Sequence, residues 1–547
     1  VKLTQSITLT KTMKTPFLAT SYIQSHPSNR LVARLLLSGM FLIAALTGSY
    51  QKSQSAPLED PRVVVSQETP PKEPPASAIL PFKLEVIEVP SSNMPGIHSY
   101  ASGSANGKWL VLGGRTGGLH GFTNNKKDNF PRRTVNTVAY VIDPIKNQLL
   151  GSVDLVANLP PGLAGPLTAT NPEFVQVDSR LYILGGYGQD LPAETLTTFG
   201  TITMVDLPGL IGAITDGSTD IKSYFTQTPA PDNRLKVAGG VLKYYKGTFF
   251  LVFGQDFTGY YSVENRDYNR AGGQFQKYTE KVRVFTLNAD LSIDKFSEID
   301  GGYDESLPYH RRDLNVVDTI LSDGSTPGAT VYGGVFRAGR VAGHTMPIDI
   351  QLAPATPVVT VRTGFQQALC QYDCAYVPIF DSASSSTFTT LFGGISQYHY
   401  DPTRNILIQD EVDLSNGVDG LPFISTISTI QRQGVDGTFS QFIHPSPMPG
   451  LLGTDAQFLV SQTAVAAEQF FSNRVLNLSK LGGRTLIGHI VGGIESYGPY
   501  SGLVAQSPST VSSTRLFEVW VTPGPDAFTV MPPLPKTLTK YVQPPKP

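Results

Sequence analysis

The run LPYHRRDLNVV at residues 307–317 sets a histidine, two arginines and an aspartate directly before an apolar stretch. Two guanidinium groups can grip a carboxylate or phosphate through paired hydrogen bonds. An imidazole or carboxyl held beside that anion, His310 or Asp313, can move a proton. The same four side chains can instead tie neighbouring elements together, because buried polar groups need partners. Other polar residues stand just ahead of strand-like runs in the same way: His98, Glu173, Arg234, Tyr372, Asp373 and Asp455. The segment GGRTGGLHGF (113–122) adds Arg115 and His120. Its glycines lack the strand–loop–helix context and the Lys-Ser/Thr ending of a phosphate loop, so it reads as a turn followed by a loop. No HExxH, HxH, CxxC or GxSxG occurs. No metal site, cofactor or serine nucleophile is therefore expected.

The elements that would position these residues repeat along the chain. An apolar run ending in glycine recurs as WLVLGG (109–114), LYILGG (181–186), FFLVFGQ (249–255), TVYGG (330–334), TTLFGG (389–394) and IGHIVGG (487–493). Each follows another strand-like run: HSYASGS, EFVQVD, LKVAGGVLKYY, DLNVVDTI, CAYVPIFD and AQFLVSQ. Each precedes a third after a variable loop: TVAYVIDP, TITMVDLP, KVRVFTLN, MPIDIQL, ISTISTIQ and RLFEVWV. Short strands with one recurring glycine signature predict an all-β radial repeat. The pattern resembles the kelch repeat over roughly residues 80–530. The Trp that usually follows the Tyr of strand three survives only in fragments, at Tyr140 and Trp520.

The resemblance implies a six-bladed kelch-type β-propeller with four-stranded blades. FKLEVIEV (82–89) would complete the sixth blade, since RLFEVWV has no obvious fourth strand after it. Seven blades are the alternative, with the extra one drawn from the insert after TTLFGG or from 459–480. In such a blade the first strand lines the channel, and its start lies on the same face as the loop between strands two and three. That face would gather five of the eight histidines (His98, His120, His310, His344 and His399) and the long, polar loops. Variable loops on a rigid scaffold are a common way to build a site. The aromatic stretches TGYYSVENRDY (258–268) and QYHYDP (397–402) could stack on a ligand or simply pack the loops.

Two functions follow. The first is a module that binds a protein, peptide or glycan through His98, Arg115, His120, Arg311, Arg312 and Asp373. The second is an enzyme, for which His310, Asp313 and Glu173 are the catalytic candidates. Similarity to sialic-acid mutarotases would give Arg311 or Arg312 a sugar carboxylate. Similarity to galactose-oxidase-type copper enzymes would require a Tyr–Cys pair and two histidines.

Composition bounds these readings. The chain has 547 residues, with 52 Gly, 42 Pro and only 16% charged residues, which suits short strands and turns. The net charge of −2 leaves no electrostatic footprint for nucleic acid. Arg30 and Arg34 precede the apolar run LLLSGMFLIAALTG (35–48), which has signal-peptide length and is short for a membrane span. Ser49 stands where a lipoprotein box would need cysteine. The expectation is an exported protein, periplasmic or extracellular, without a membrane span once processed. Its parts would be a targeting segment (1–56), a Pro-rich linker (57–80), the propeller (81–530) and a Pro-rich tail (531–547). An oxidising compartment permits a disulfide between Cys370 and Cys374 if a turn brings them together; free thiols or metal ligation are the alternatives.

Overall fold

A computed structural model describes residues 76–91, 93–121, 126–192, 195–261, 275–301, 307–320, 326–337, 341–353, 357–413, 415, 417–434, 437–500 and 510–540. The targeting segment, nearly all of the linker, much of the 258–268 aromatic stretch and the last seven residues lie outside them. The fold is all-β, with only short helices. Among the described residues no helix is long and apolar enough to cross a membrane.

Six antiparallel sets of four strands can be followed in chain order within sheets of ten, seven, four, four and four strands, the fifth and sixth sets sharing the ten-stranded sheet; the remaining sheet has two strands. The first comprises Ala101–Ala105, Lys108–Leu112, Val138–Asp143 and Gln148–Asp154. The second comprises Thr170–Val177, Arg180–Asp190, Ile202–Asp206 and Phe225–Gln227. The third is built from Val241–Tyr245, Thr248–Val252, Lys281–Leu287 and Ile293–Asp300. The fourth is Arg312–Ile320, Pro327–Val335, Ile348–Gln351 and Val358–Val361. The fifth is Tyr376–Asp381, Ser386–Phe392, Ile427–Gln433 and Thr438–Ile443. The sixth takes Leu451–Val460, Thr485–Ser496 and Leu516–Val530, and its outer strand is Ser77–Val89 from the start of the described chain.

That outer strand begins inside the stretch that composition assigns to the linker. Leu80, Phe82 and Leu84 alternate inward and are buried, and the ring of Phe82 meets Phe388 and Phe528 at 5.4 and 6.0 Å. Their packing outweighs the disordering effect of the prolines before them. Pro81, which has no N–H to give the ladder, sits where the register with Leu516–Val530 shifts. The start of the tail is also folded: Thr539 donates its backbone N–H to Gln409, and Met531 and Leu534 pack beside Leu369 and Leu407.

The first strands of the six groups are bound to one another by their leading residues. Ser99, Asn171, Gly239, Asp313, Asp373 and Asp455 hold one position each, and all are left-handed, with φ between 45° and 68°. Their backbone N–H groups donate backward from group to group: Asn171 to Ser99, Gly239 to Asn171, Asp313 to Gly239, and Asp455 to Asp373. Ser99 of the first group donates to Asp455 of the sixth at 3.3 Å. The left-handed region favours Gly, Asn and Asp, which fits five of the six residues.

The glycine signatures serve close approach between groups. Gly393 has φ +61°, and a methyl there would overlap the backbone oxygen of Leu452 in the next group. The backbone N–H of Gly394 donates to that same oxygen at 2.9 Å. Gly393→Ala should therefore cost about 3 kcal/mol or more. Gly482→Ala, facing open space, should change little. Urea unfolding of the two variants checks this; equal midpoints would show that the close approach is unimportant.

Candidate functional site

The residues that lead into the first strands and the loops that follow the glycine signatures enclose a cavity of about 120 Å³. His98, Arg115, His120, Arg312 and Asp313 from the sequence reading all line it, together with Asp455 and Asp419. Much of the remaining wall is aromatic, including Phe130, Tyr187, Phe257, Tyr261, Phe336 and Tyr372. Glu173, His310, Arg311 and Asp373 are not among its lining residues.

Arg311 and Arg312 part company although adjacent, as neighbours in extended chain do. Arg311 is fully buried and donates to three backbone oxygens: Pro308 at 2.7 Å, Gly333 at 2.9 Å and Met346 at 3.2 Å. Burial, with Arg337 nearby, pushes its pKa down to about 9. It fastens backbone segments and does not line the cavity. Arg312 turns to the cavity, donates to Asp313 at 2.6 Å and lies over the ring of Phe336 at 5.2 Å. Burial works against its charge, but Asp313 more than offsets that and raises its pKa.

Arg115 differs from both. It is buried and donates to the backbone oxygen of Pro131 at 3.2 Å and to the hydroxyl of Thr134. Its guanidinium lies 4.7 Å from the centre of the Phe130 ring. Among the described residues it forms no ion pair with a carboxylate. Burial lowers its pKa to about 10, which leaves it charged at neutral pH. His120 stacks on Phe130 at 4.9 Å and leans on Tyr261 at 4.5 Å.

His98 sits opposite Arg115 in an antiparallel bridge, so the two side chains emerge on the same face. Its Nδ1 meets Asp455 Oδ2 at 3.1 Å and Ser99 Oγ at 2.9 Å. Its Nε2 is buried and has no hydrogen-bond partner among the described residues. Burial pushes Asp455 up, but hydrogen bonds from His98, Asp373 and Ser99 prevail and hold it at about 2. Asp373 is driven the other way: burial and the neighbouring Asp455 charge raise its pKa far above the carboxylate range. Burial also raises Asp313, to about 6, against the pull of Arg312 and with a contribution from Asp455.

The remaining candidates are structural contacts. Glu173 accepts the Gly240 N–H at 2.8 Å, joining the second group to the third, and burial raises its pKa strongly. His310 pairs through Nδ1 with Glu280 and stacks on Tyr278 at 3.9 Å. Cys370 and Cys374 are both buried free thiols, so the disulfide alternative does not hold. Cys370 lies near Ser396 Oγ and Cys374 near the Gln371 backbone oxygen. Among the described residues no group of three or more His, Cys, Asp or Glu is arranged to hold a metal ion. In the sequence Asp455 is one of several polar residues before a strand, and nothing in the order of residues pairs it with His98, 357 positions away.

No family model matches the chain, and no curated protein matches it. Among solved structures, one titled "Structure of YjhT" matches 78% of this chain and 99% of that chain, at 11% identity and a TM-score of 0.41.

The carboxyl cluster sets a pH dependence. The ordinary value for Asp313 is 3.8 and the folded value about 6. Between them the folded chain keeps a proton that the unfolded chain has released. The stability this group contributes is full below about pH 4 and is lost as pH rises through about 6. Asp313→Asn, whose side chain tolerates a left-handed backbone, should flatten the decline in melting temperature over that window. An unchanged slope would place the titrating proton elsewhere.

Proposed function

We propose that the chain is an exported, six-bladed kelch-type β-propeller that binds an anionic small molecule, or the acidic tip of a peptide or glycan, in the loop-lined cavity. The observation that carries this is Arg115: a buried cation whose partners among the described residues are all neutral. A buried charge without a counter-charge is costly, and a ligand carboxylate would relieve that cost through the two-pronged geometry that guanidinium favours. The aromatic wall supplies flat surfaces on which a sugar or other ring can stack. The four-strand grouping and the bond from Ser99 to Asp455 support closure of a propeller with the N-terminal strand as its last outer strand.

Calorimetric titration of the purified chain with glucuronate and with glucose tests the reading. Glucuronate should bind and glucose should bind at least about tenfold more weakly, with one charge-assisted contact worth roughly 1.5–3 kcal/mol. Arg115→Met should remove the difference. Equal affinities for the two sugars, or binding of glucuronate unaffected by Arg115→Met, would defeat the proposal. Arg311→Ala serves as a contrast: it should lower the melting temperature by leaving the backbone oxygens of Pro308, Gly333 and Met346 without their donor.

A further inference from the structure

The loop between the second and third strands of the first group holds five basic residues, Arg115, Lys126, Lys127, Arg132 and Arg133, against one acidic residue, Asp128. The chain as a whole has a net charge of −2, so this concentration is local. The cavity wall uses only Arg115 of the five. The fold of the loop decides where two of the others go. Asn129 is fully buried and donates its side-chain amide to the backbone oxygen of Tyr261 at 2.8 Å. Phe130 meets Tyr187 edge-on at 5.4 Å, and Thr116 donates its backbone N–H to Thr134 at 2.9 Å. With that stretch anchored, Lys127 and Arg132 on either side of it stay exposed. Both line a second recess, of about 290 Å³, between this loop and the second group. It shares a wall with the cavity: Arg115, Phe130, Thr170 and Tyr187 border both.

The size of the recess is close to the lower end of small-molecule sites, roughly 300–1,000 Å³. Three cations, Arg115, Lys127 and Arg132, border it, and among the described residues no aspartate or glutamate does. Like charges gathered around one space repel, and an anion placed between them reverses the sign of that energy. One carboxylate fills a single guanidinium fork. Three cations suit a group with more charge and more acceptor oxygens, and a phosphate monoester carries about −1.5 to −2 at neutral pH on three such oxygens. The rest of the wall fits what bears the phosphate: Phe130, Leu196 and the exposed Tyr260 offer apolar and flat surface. We propose that this recess is a second binding site, for a small phosphate monoester carried on a ring. The phosphate sits between Lys127 and Arg132, and the ring lies against Phe130 and Tyr260. The site goes beyond the reading of the cavity and stands without it, because Lys127 and Arg132 do not line the cavity.

Calorimetry of the full chain with phenyl phosphate and with phenyl sulfate tests the site, at pH 7.5, where the phosphate is a dianion. The two probes have the same ring and nearly the same shape, but the sulfate carries a single charge. Phenyl phosphate should bind at least about tenfold more tightly, the effect of one further charge-assisted contact. Inorganic phosphate, without a ring to lie on Phe130 and Tyr260, should bind at least about threefold more weakly than phenyl phosphate. Lys127→Met combined with Arg132→Met should weaken phenyl phosphate about tenfold or more. Both side chains are exposed, so the melting temperature should stay where it is, and glucuronate binding in the cavity should be unaltered. Equal affinities for phenyl phosphate and phenyl sulfate, equal affinities for phenyl phosphate and inorganic phosphate, or phenyl phosphate binding indifferent to the double variant would each overturn the proposal. Phenyl phosphate bound as expected by a chain that ignores glucuronate supports this site and removes only the reading of the cavity.

Discussion

A single backbone arrangement governs the rest of this molecule. At the start of each first strand, one residue adopts a left-handed conformation, and for most of them the N–H reaches back to a carbonyl of the preceding group. That conformation is strained for most side chains and is taken most readily by Gly, Asn and Asp. Three of the six positions hold aspartate. The carboxyl groups at the cavity are thus there first because the backbone accepts them. The ionic features of the site follow: Arg312 balances Asp313, His98 and Ser99 serve Asp455, and Asp373 keeps its proton because two adjacent buried carboxylates repel each other.

This hierarchy explains what could be read in the sequence. The strands were legible, since apolar runs of strand length end in a glycine signature demanded by close packing between groups. That polar residues would collect at one end was legible from their place before the first strands. Residue-level direction was not. Arg311 and Arg312 differ by one position and therefore by a face, and the left-handed Asp313 beside them sets which arginine turns inward. The outer strand from Ser77 was half hidden: its alternation is plain from Phe82 onward, while Ser77 to Leu80 read as linker because of the prolines nearby.

The tertiary partnerships were beyond reach. His98 and Asp455 lie 357 positions apart and join only because the first and sixth groups meet. Likewise, that Arg115 would have neutral partners depends on how the loop through Phe130 and Thr134 folds back over it. A sequence shows which groups can ionise; whether each finds a counter-charge depends on the assembled fold. Here the two aspects diverge most at the cavity, where one arginine is neutralised and another is not.

The pairing of Ser77–Val89 with Leu516–Val530 has a consequence for how the chain reaches this state. The contacts that complete the sixth group join segments more than 400 residues apart, so they cannot form until Leu516–Val530 has been synthesised. Until then the apolar side chains of the early strand and the edge of the first group have no cover. Long-range closure of this kind is slow because the chain must meet the loop entropy before the contacts repay it. The growing polypeptide accordingly carries Ser77–Val89 unpaired until Leu516–Val530 arrives, and removing either segment uncovers the other.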